Sequence, residues 1–318
     1  MREKILQRLK NNGEFVSGEE ISNALGISRQ ALWKHMQDLK EAGYEILAVP
    51  HLGYRLLSSP DRLYPYEVQS GLGTSLIGKN ILYMESVGST MDIAVEKGMG
   101  GAPEGTIVLA ETQTKGRGRL GRQWLSPKYK GLYFSLVLRP RLPPQYVPVL
   151  TLLVAIGVCE AVRAILSLDA RIKWPNDIML NNKKTGGILT ELSAEADMTR
   201  FVVAGLGLNV NNGPRSLPEG ATSLCEFTGA QVNRIRLLQE ILRKIESGYL
   251  QLQDSGSAFL IEKWRSYSTT LGRRVRIISQ QQDLEGEAFD IDLDGGLLLR
   301  LDSGLQTKIT SGEILHCR

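Results

Sequence analysis

The sequence predicts a multidomain α+β chain: an N-terminal winged helix-turn-helix, a central α+β domain and a C-terminal unit of short β-strands. Three observations carry this. The 318 residues exceed one typical hydrophobic core. Residues 1–60 read as capped helices followed by a hairpin. From Leu271 onward the apolar spacing changes from a helical to an alternating period.

Ile5, Leu6 and Leu9 make the apolar stripe of a first helix that ends near Asn11-Asn12-Gly13. Ser17 and Glu20 have capping-box spacing, in which each residue satisfies a free backbone donor of the other. Ile21 and Leu25 face inward on the second helix, and Gly26 breaks it. Ser28 caps a third helix that runs to Gly43, a natural residue just past a helix end. Leu32, Met36 and Leu39 form its core face, while Arg29, Gln30, Trp33, Lys34 and Gln37 point outward. Two helices joined by a short Gly-containing turn form the helix-turn-helix pattern, and the outward donors suit phosphates and base edges. Glu45–Val49 and Tyr54–Leu57 flank Pro50-His51-Leu52-Gly53 as a hairpin, hence a wing.

Residues 1–60 hold eight Lys and Arg against seven Asp and Glu, a net of +1, so positive charge is placed rather than abundant. Arg29, Lys34, Lys40 and Arg55 lie on the third helix and the hairpin, with Glu14, Glu19 and Glu20 upstream. A generic three-helix interaction module is the plainer alternative. Motif and placement together favour DNA, with Ser28, Arg29, Gln30, Trp33 and Lys34 as contact residues. Ser58-Ser59-Pro60-Asp61 reads as a linker, giving expected domains of 1–60, 61–268 and 269–318.

In the central domain, Ile81–Met84 and Thr106–Ala110 are apolar runs of strand length. Ser89 and Thr90 follow the first, where hydroxyls bind a small polar ligand or cap the next helix. The most informative stretch is Gly116-Arg117-Gly118-Arg119-Leu120-Gly121-Arg122. Its glycines allow close backbone approach, and its arginines are forked donors for phosphate or carboxylate. Their mutual repulsion implies a multivalent anion among them. The same letters match a dinucleotide-binding loop, but Pro127 opposes the crossover helix that such a loop needs. Gly73–Asn80 resembles a phosphate-binding P-loop, except that Asn80 stands where a Ser or Thr must hold Mg²⁺. It reads as an ordinary loop.

Val147–Val158 begins a buried helix reaching about Leu166; the apolar run is shorter than a membrane span and carries Pro148. Pro175 ends a strand, and Asn181-Asn182 is hairpin-turn chemistry. Lys184 beside Gly186-Gly187 can reach an anion as a compact charge. Glycines inside the apolar strand Phe201–Asn209 mark a ligand lying against the backbone. Arg234–Leu252 is an amphipathic helix, and Ala258–Tyr267 a shorter one. Asp294-Gly295-Gly296 is a hairpin turn among about five tail strands.

A net charge of +4, with 42% hydrophobic and 23% charged residues, fits a soluble globular protein and does not by itself imply nucleic acid. Cys159, Cys225 and Cys317 are odd in number and scattered, which argues against disulfides and zinc and fits a reducing cytoplasm. His35, His51 and His316 are equally scattered. The start is amphipathic and unlike a signal peptide.

Four motifs now fall in order: Gly116–Arg122 with Trp124 and Ser126; Lys173-Trp174-Pro175-Asn176-Asp177; Lys184-x-x-Gly187-Ile188-Leu189-x-Glu191; and Gly205-x-Gly207-x-Asn209-x-Asn211. In order and spacing they resemble the biotin–protein ligase family. With the winged helix-turn-helix in front, the whole chain resembles a bifunctional biotin ligase and biotin-operon repressor. One departure is Met91, where many relatives have a polar residue after Ser-Thr.

The resemblance implies a central mixed sheet with helices like the class II synthetase fold and a C-terminal SH3-like barrel. It implies that biotin and ATP are substrates, with Mg²⁺, and that biotinyl-5′-AMP is both intermediate and corepressor. The implied partners are the biotin carboxyl carrier domain of a carboxylase, operator DNA and, when ligand is bound, a second copy of the chain, with no membrane. By motif, Ser89, Thr90 and Gln113 would bind the ureido end or ring of biotin. Arg117, Gly118 and Arg119 would close over carboxylate and phosphate, and Trp124 would stack near adenine. Lys184 would neutralise charge between carboxylate and α-phosphate. Asn176 and Asn209 would touch nucleotide or metal-bound water, and Asp177 would hold Mg²⁺ or position the incoming lysine. Trp124 and Trp174 also fit plain core packing. The alternatives are a lipoate-type acyl ligase, whose glycine and histidine signatures are absent, and a sensor of a small acid without catalysis, which needs no α-phosphate site.

Overall fold

The computed structural model describes residues 1–195, 198–278 and 283–316; Cys317 lies outside the described residues. The chain divides into two compact units, Met1–Arg62 and Leu63–Arg318.

The first unit contains α1 (Arg2–Asn12), α2 (Gly18–Leu25), α3 (Arg29–Glu41), β1 (Glu45–Val49) and β2 (Gly53–Ser58). Its helices start and stop where local chemistry requires. Ser17 Oγ accepts from the Glu20 amide at 3.0 Å, and Ser28 Oγ from the Ala31 amide at 3.1 Å. Each satisfies a donor that the helix leaves open. Gly26 ends α2 in the left-handed region at φ 63°, the short turn expected between paired helices. Ile5, Leu9, Ile21, Leu32, Met36 and Leu39 form a shared core. β1 and β2 pair antiparallel as a hairpin, held to the chain before α2 by mutual 2.9 Å bonds between Val16 and Tyr54.

The second unit opens with α4 (Pro65–Gln69), β3 (Ile81–Met84), α5 (Thr90–Met99), β4 (Ile107–Ala110) and β5 (Gly131–Leu138). Then come α6 (Pro148–Leu166), β6 (Arg171–Lys173), β7 (Asp177–Leu180), β8 (Lys183–Glu195) and β9 (Met198–Asn209). After α7 (Leu224–Thr228), α8 (Arg234–Ser255) and α9 (Ala258–Tyr267) follow the strands β10 (Arg273–Ile278), β11 (Asp283–Ile291), β12 (Leu297–Leu301), β13 (Gln306–Ile309) and β14 (Glu313–His316).

Seven strands form a mixed sheet in the order β3-β4-β5-β9-β8-β7-β6, with β3 parallel to β4 and every other pair antiparallel. α5 packs on one face and α6 on the other, with α8 and α9 behind α6. By length and composition α6 could cross a membrane, yet between Val149 and Val162 all its residues but Thr151 and Glu160 are buried in the fold. The C-terminal strands form a five-stranded antiparallel sheet, β13-β12-β11-β10-β14. Apolar residues of both sheets join one continuous core, from Leu136 through Trp264 to Leu299. Trp174 pins the junction: it is buried, and its indole N–H donates to Gly295 O at 3.0 Å.

Two buried carboxylates organise the connections. Glu111, at the end of β4, pairs with Arg234 of α8 at 2.7 Å, both side chains 0% exposed, and accepts from the Leu63 amide at 2.8 Å. Glu246 of α8 fills the Gly73–Asn80 loop. It accepts from the amides of Ser75, Leu76 and Ile77 at 2.6, 2.8 and 2.7 Å and from the Ser75 hydroxyl at 3.2 Å. Burial alone would raise the carboxyl pKa of Glu246; these donors hold it below the usual range. The loop that resembles a phosphate cradle is occupied by the protein's own anion.

Candidate active site

Along a strand, alternate residues share a face. On β9, Phe201 and Val203 lie under α5 and join its core with Met91, Ala94, Val108 and Val137. The same face continues past the helix N-terminus through Gly205 and Gly207, and Gly187 of β8 pairs with Gly207. A Cβ at Gly207 would stand 2.5 Å from the Trp124 indole, and one at Gly205 would stand 2.5 Å from the Met91 sulfur. The strand glycines therefore make room for two side chains and also line the cavity. Above them is a cavity. Its walls are Thr90 and Met91, residues 117–119 and 122–125, residues 173–177, Lys184, the Leu217–Ala221 loop and residues 312–314 of the C-terminal sheet. The Leu217–Ala221 loop is tied down by β8, since Lys184 N donates to Gly220 O and Thr222 N to Lys184 O.

One end is uncharged and internally hydrogen-bonded. Gln113 Oε1 accepts from Thr90 N at 2.9 Å and Thr90 Oγ1 at 3.1 Å, and its amide donates to Ser126 Oγ at 3.0 Å. Ser135 donates to Thr90 Oγ1 at 2.9 Å. Ser89 is buried, caps α5 by accepting from Met91 N, and is not among the lining residues.

The other end is cationic. Two of the three loop arginines, Arg117 and Arg122, do not depend on a ligand to relieve their repulsion, which corrects that expectation for them. Arg117 is held by Asp92 at 2.6 Å and by Glu191, which keep its guanidinium firmly protonated. Arg122 is paired with Glu313 of β14 at 2.8 Å, and this pairing lowers the Glu313 pKa. Arg119 differs. It is part-buried and donates to Asn176 Oδ1 at 3.1 Å; desolvation disfavours its charge. Lys173 lines the same end, and burial lowers its pKa too. Lys184 Nζ sits 2.6 Å from Asp177 and 5.7 Å from the centre of the Trp124 ring.

The remaining expected residues are partly committed. Asn176 donates to Ile188 O at 2.7 Å while receiving Arg119, and Asn209 donates to Thr222 O at 3.1 Å. Gly118 N bonds Arg122 O at 2.7 Å and closes the loop on itself. Trp124 lines the cavity, and its indole N–H is buried without a partner. Trp174 lines it too, but its N–H is spent on Gly295. Among the described residues no group of three or more His, Cys, Asp and Glu side chains is arranged to hold a metal. Asp177 is a single carboxylate, a donor set that suits Mg²⁺ only when substrate phosphates complete the coordination.

In the first unit, Arg29, Gln30, Trp33 and Lys34 are exposed on α3, with Trp33 58% exposed. Arg29 is paired with Glu19 at 2.9 Å, and the Ser28 hydroxyl is spent on its cap. Sequence reasoning passed over Asp92, Glu191 and Glu313 as partners of the arginines and gave no role to Lys173, although Lys173 opens a motif that had been singled out.

Three family descriptions match this chain: the biotin/lipoate A/B protein ligase family over residues 83–209, an HTH domain over 1–55, and the biotin protein ligase C-terminal domain over 270–316. The chain is 40% identical over 319 residues to the bifunctional ligase/repressor BirA of Bacillus subtilis, covering 99% of this chain and 98% of that protein. It is 31% identical to the Escherichia coli BirA, covering 95% of this chain and 93% of that one. A solved biotin protein ligase from Aquifex aeolicus, in complex with biotin and ATP, superposes with a TM-score of 0.64 at 32% identity, covering 76% of this chain and 99% of that structure.

Proposed function

This chain belongs to the biotin/lipoate A/B protein ligase family, and from that premise we propose that it is a bifunctional biotin ligase and repressor. It activates biotin with ATP, passes the biotinyl group to a lysine of a biotin carboxyl carrier domain, and represses biotin genes through its helix-turn-helix.

One observation carries the ligase reading. A single cavity joins an uncharged end at Thr90 and Gln113, the latter braced by Ser126, to a cationic end with Arg119, Lys173 and Lys184. That gradient suits an acid whose ring is recognised by hydrogen bonds and whose carboxylate meets a phosphate. In the first step a biotin carboxylate oxygen attacks the α-phosphorus of ATP, and the bond to pyrophosphate breaks. In the second a lysine amine attacks the acyl carbon, and AMP leaves. Arg119 and Lys184 act by preorganised charge, which matters most where water is excluded. Lys184 would leave Asp177 for the developing charge at phosphorus. Arg117 is an anchor for the loop, held from both sides, with Gly118 shaping the turn. Trp124 offers its face to the base. Asn176 positions Arg119, Asn209 lines the nucleotide end, and Ser89 acts by fixing the helix start beside Thr90. Mg²⁺ would arrive with ATP, Asp177 contributing one carboxylate and the metal neutralising phosphate charge.

The family description spans biotin and lipoate ligases, so it does not separate them. The C-terminal match and the whole-chain relatives favour biotin. A sensor without catalysis has no use for the Arg119–Lys184 corner. For repression, Arg29, Gln30, Trp33 and Lys34 would meet DNA and Ser28 would set the helix start. The hairpin acts as a wing, and a ligand-bound homodimer with biotinyl-5′-AMP as corepressor supplies two half-sites. A cytoplasmic setting and domains of 1–60, 61–268 and 269–318 complete the proposal.

The test is direct. Purified chain with ATP, Mg²⁺, biotin and a carrier domain should add one biotinyl group to the carrier lysine, read by mass. Lipoate in place of biotin should add nothing. Modification by lipoate but not by biotin would overturn the reading.

A further inference from the structure

We propose that Met91 is a specificity-determining residue of the acid site: its thioether, resting on Gly205, is the floor that sets how deeply the ring of the acid can enter. This deepens the biotin-ligase reading and rests on it. Met91 is in the first turn of α5, next to Thr90, and is 3% exposed. It lines the cavity at its uncharged end. It packs in one buried cluster with Ala94, Val108, Val137, Phe201 and Val203. A packed core gives no room to retreat into.

The contact with Gly205 is close enough to be diagnostic. A Cβ built there would lie 2.5 Å from the Met91 sulfur, 3.0 Å from its Cγ and 3.4 Å from Ser135 Oγ. Ordinary carbon contacts are about 3.5–4.0 Å. A methyl at Gly205 must therefore displace the thioether by about 1 Å, and with the core closed behind it the cavity is the open direction. Ser135 in turn bonds Thr90 Oγ1. The apolar floor and the hydroxyl wall thus meet at one corner, where a ring with one polar edge and one hydrocarbon or sulfur edge is matched on both.

The chemistry of the position follows. A polar side chain there would select by hydrogen bonding. Methionine has no donor; it is polarisable and adaptable, and selects by shape and dispersion. The acid it fits is a bicyclic one whose buried edge carries sulfur and methylene groups. Desthiobiotin keeps the urea but lacks the sulfur and the second ring, so it probes the floor without changing the hydrogen-bonded edge.

The experiment measures pyrophosphate release from ATP by the full chain with biotin or desthiobiotin. In Gly205→Ala the biotin KM should rise about tenfold or more, the scale of one methylene in a tight pocket, with ATP KM unchanged and desthiobiotin less affected. Adding Met91→Ala in the same chain should reverse most of that rise, because the displaced group is gone. Met91→Ala alone needs no change in the sheet, so it remains informative if Gly205→Ala fails to fold. It should move the biotin-to-desthiobiotin ratio of kcat/KM about fivefold toward unity. An unchanged ratio in Met91→Ala, an unchanged biotin KM in Gly205→Ala, or a raised KM that Met91→Ala does not relieve would overturn the role of Met91 alone. A wild-type chain that releases no pyrophosphate with biotin would overturn the ligase reading, and this inference with it.

Discussion

Two loops of the second unit, residues 73–80 and 116–122, both have the glycine content and spacing of anion cradles, and they resolve their charge in opposite ways. In the first, three consecutive amides and a hydroxyl close on Glu246, a carboxylate supplied by α8. In the second, Arg117 and Arg122 are held by Asp92, Glu191 and Glu313, while Arg119 is turned into the cavity toward Asn176 with its charge partly desolvated. The loop is fixed at its flanks and left cationic at its centre. A structural loop carries its own counter-ion; a binding loop is anchored by some of its charges and keeps one for the substrate.

The largest expected effect is at the cationic end. Lys184→Ala should slow adenylate formation about 10²–10³-fold in a single-turnover assay, far more than it weakens ATP binding. A normal single-turnover rate would remove Lys184 from the chemistry. Next comes Arg119→Gly, which loses one charge-assisted contact and should shorten the life of the bound adenylate about tenfold, read by its escape from the protein. A longer life would reverse the assignment.

The first loop should respond in stability and not in activity. Glu246→Gln should cost about 2 kcal/mol in urea unfolding at pH 7, with pyrophosphate release unchanged. The carboxyl pKa of Glu246 is lowered in the folded state. Its stabilisation is therefore present above the unfolded glutamate value of about 4.3 and fades as pH falls through the folded value. The gap between wild type and Glu246→Gln should shrink below about pH 4; a gap that widens there would contradict the bonding described. Smallest is Ser75→Ala, which keeps the amide bond and loses only the hydroxyl bond, at about 1 kcal/mol or less. A larger loss would mean that the hydroxyl, and not the amides, holds Glu246.

The difference between the loops also marks what the sequence can reveal. Local devices were legible. The caps Ser17 and Ser28, the break at Gly26, the hairpin after α3 and the ends of α9 are fixed by residues within a few positions of each other. Long-range partners were not. The carboxylates that hold Arg117 lie 25 and 74 positions away, and the one that holds Arg122 lies 191 away. From the loop alone the arginines therefore looked uncompensated. Glu246 is about 170 positions from the amides it fills, so the first loop was identified as ordinary without its reason. The glycines of β9 read as places for a ligand against the backbone; in the fold Met91 and Trp124 also lie close over Gly205 and Gly207. Spacing shows that a strand lacks side chains; only the fold shows what lies over the gap.

The central claim is that the cationic charge of Arg119 and Lys184 serves to activate an acid with ATP. Pyrophosphate release from ATP by the purified full chain, with and without biotin and without carrier, tests it most directly. The account predicts a biotin-dependent burst of about one pyrophosphate per site, from an adenylate that stays bound, strongly slowed in Lys184→Ala and unchanged in Glu246→Gln. Release that does not depend on biotin, or that is the same in Lys184→Ala as in wild type, would contradict it.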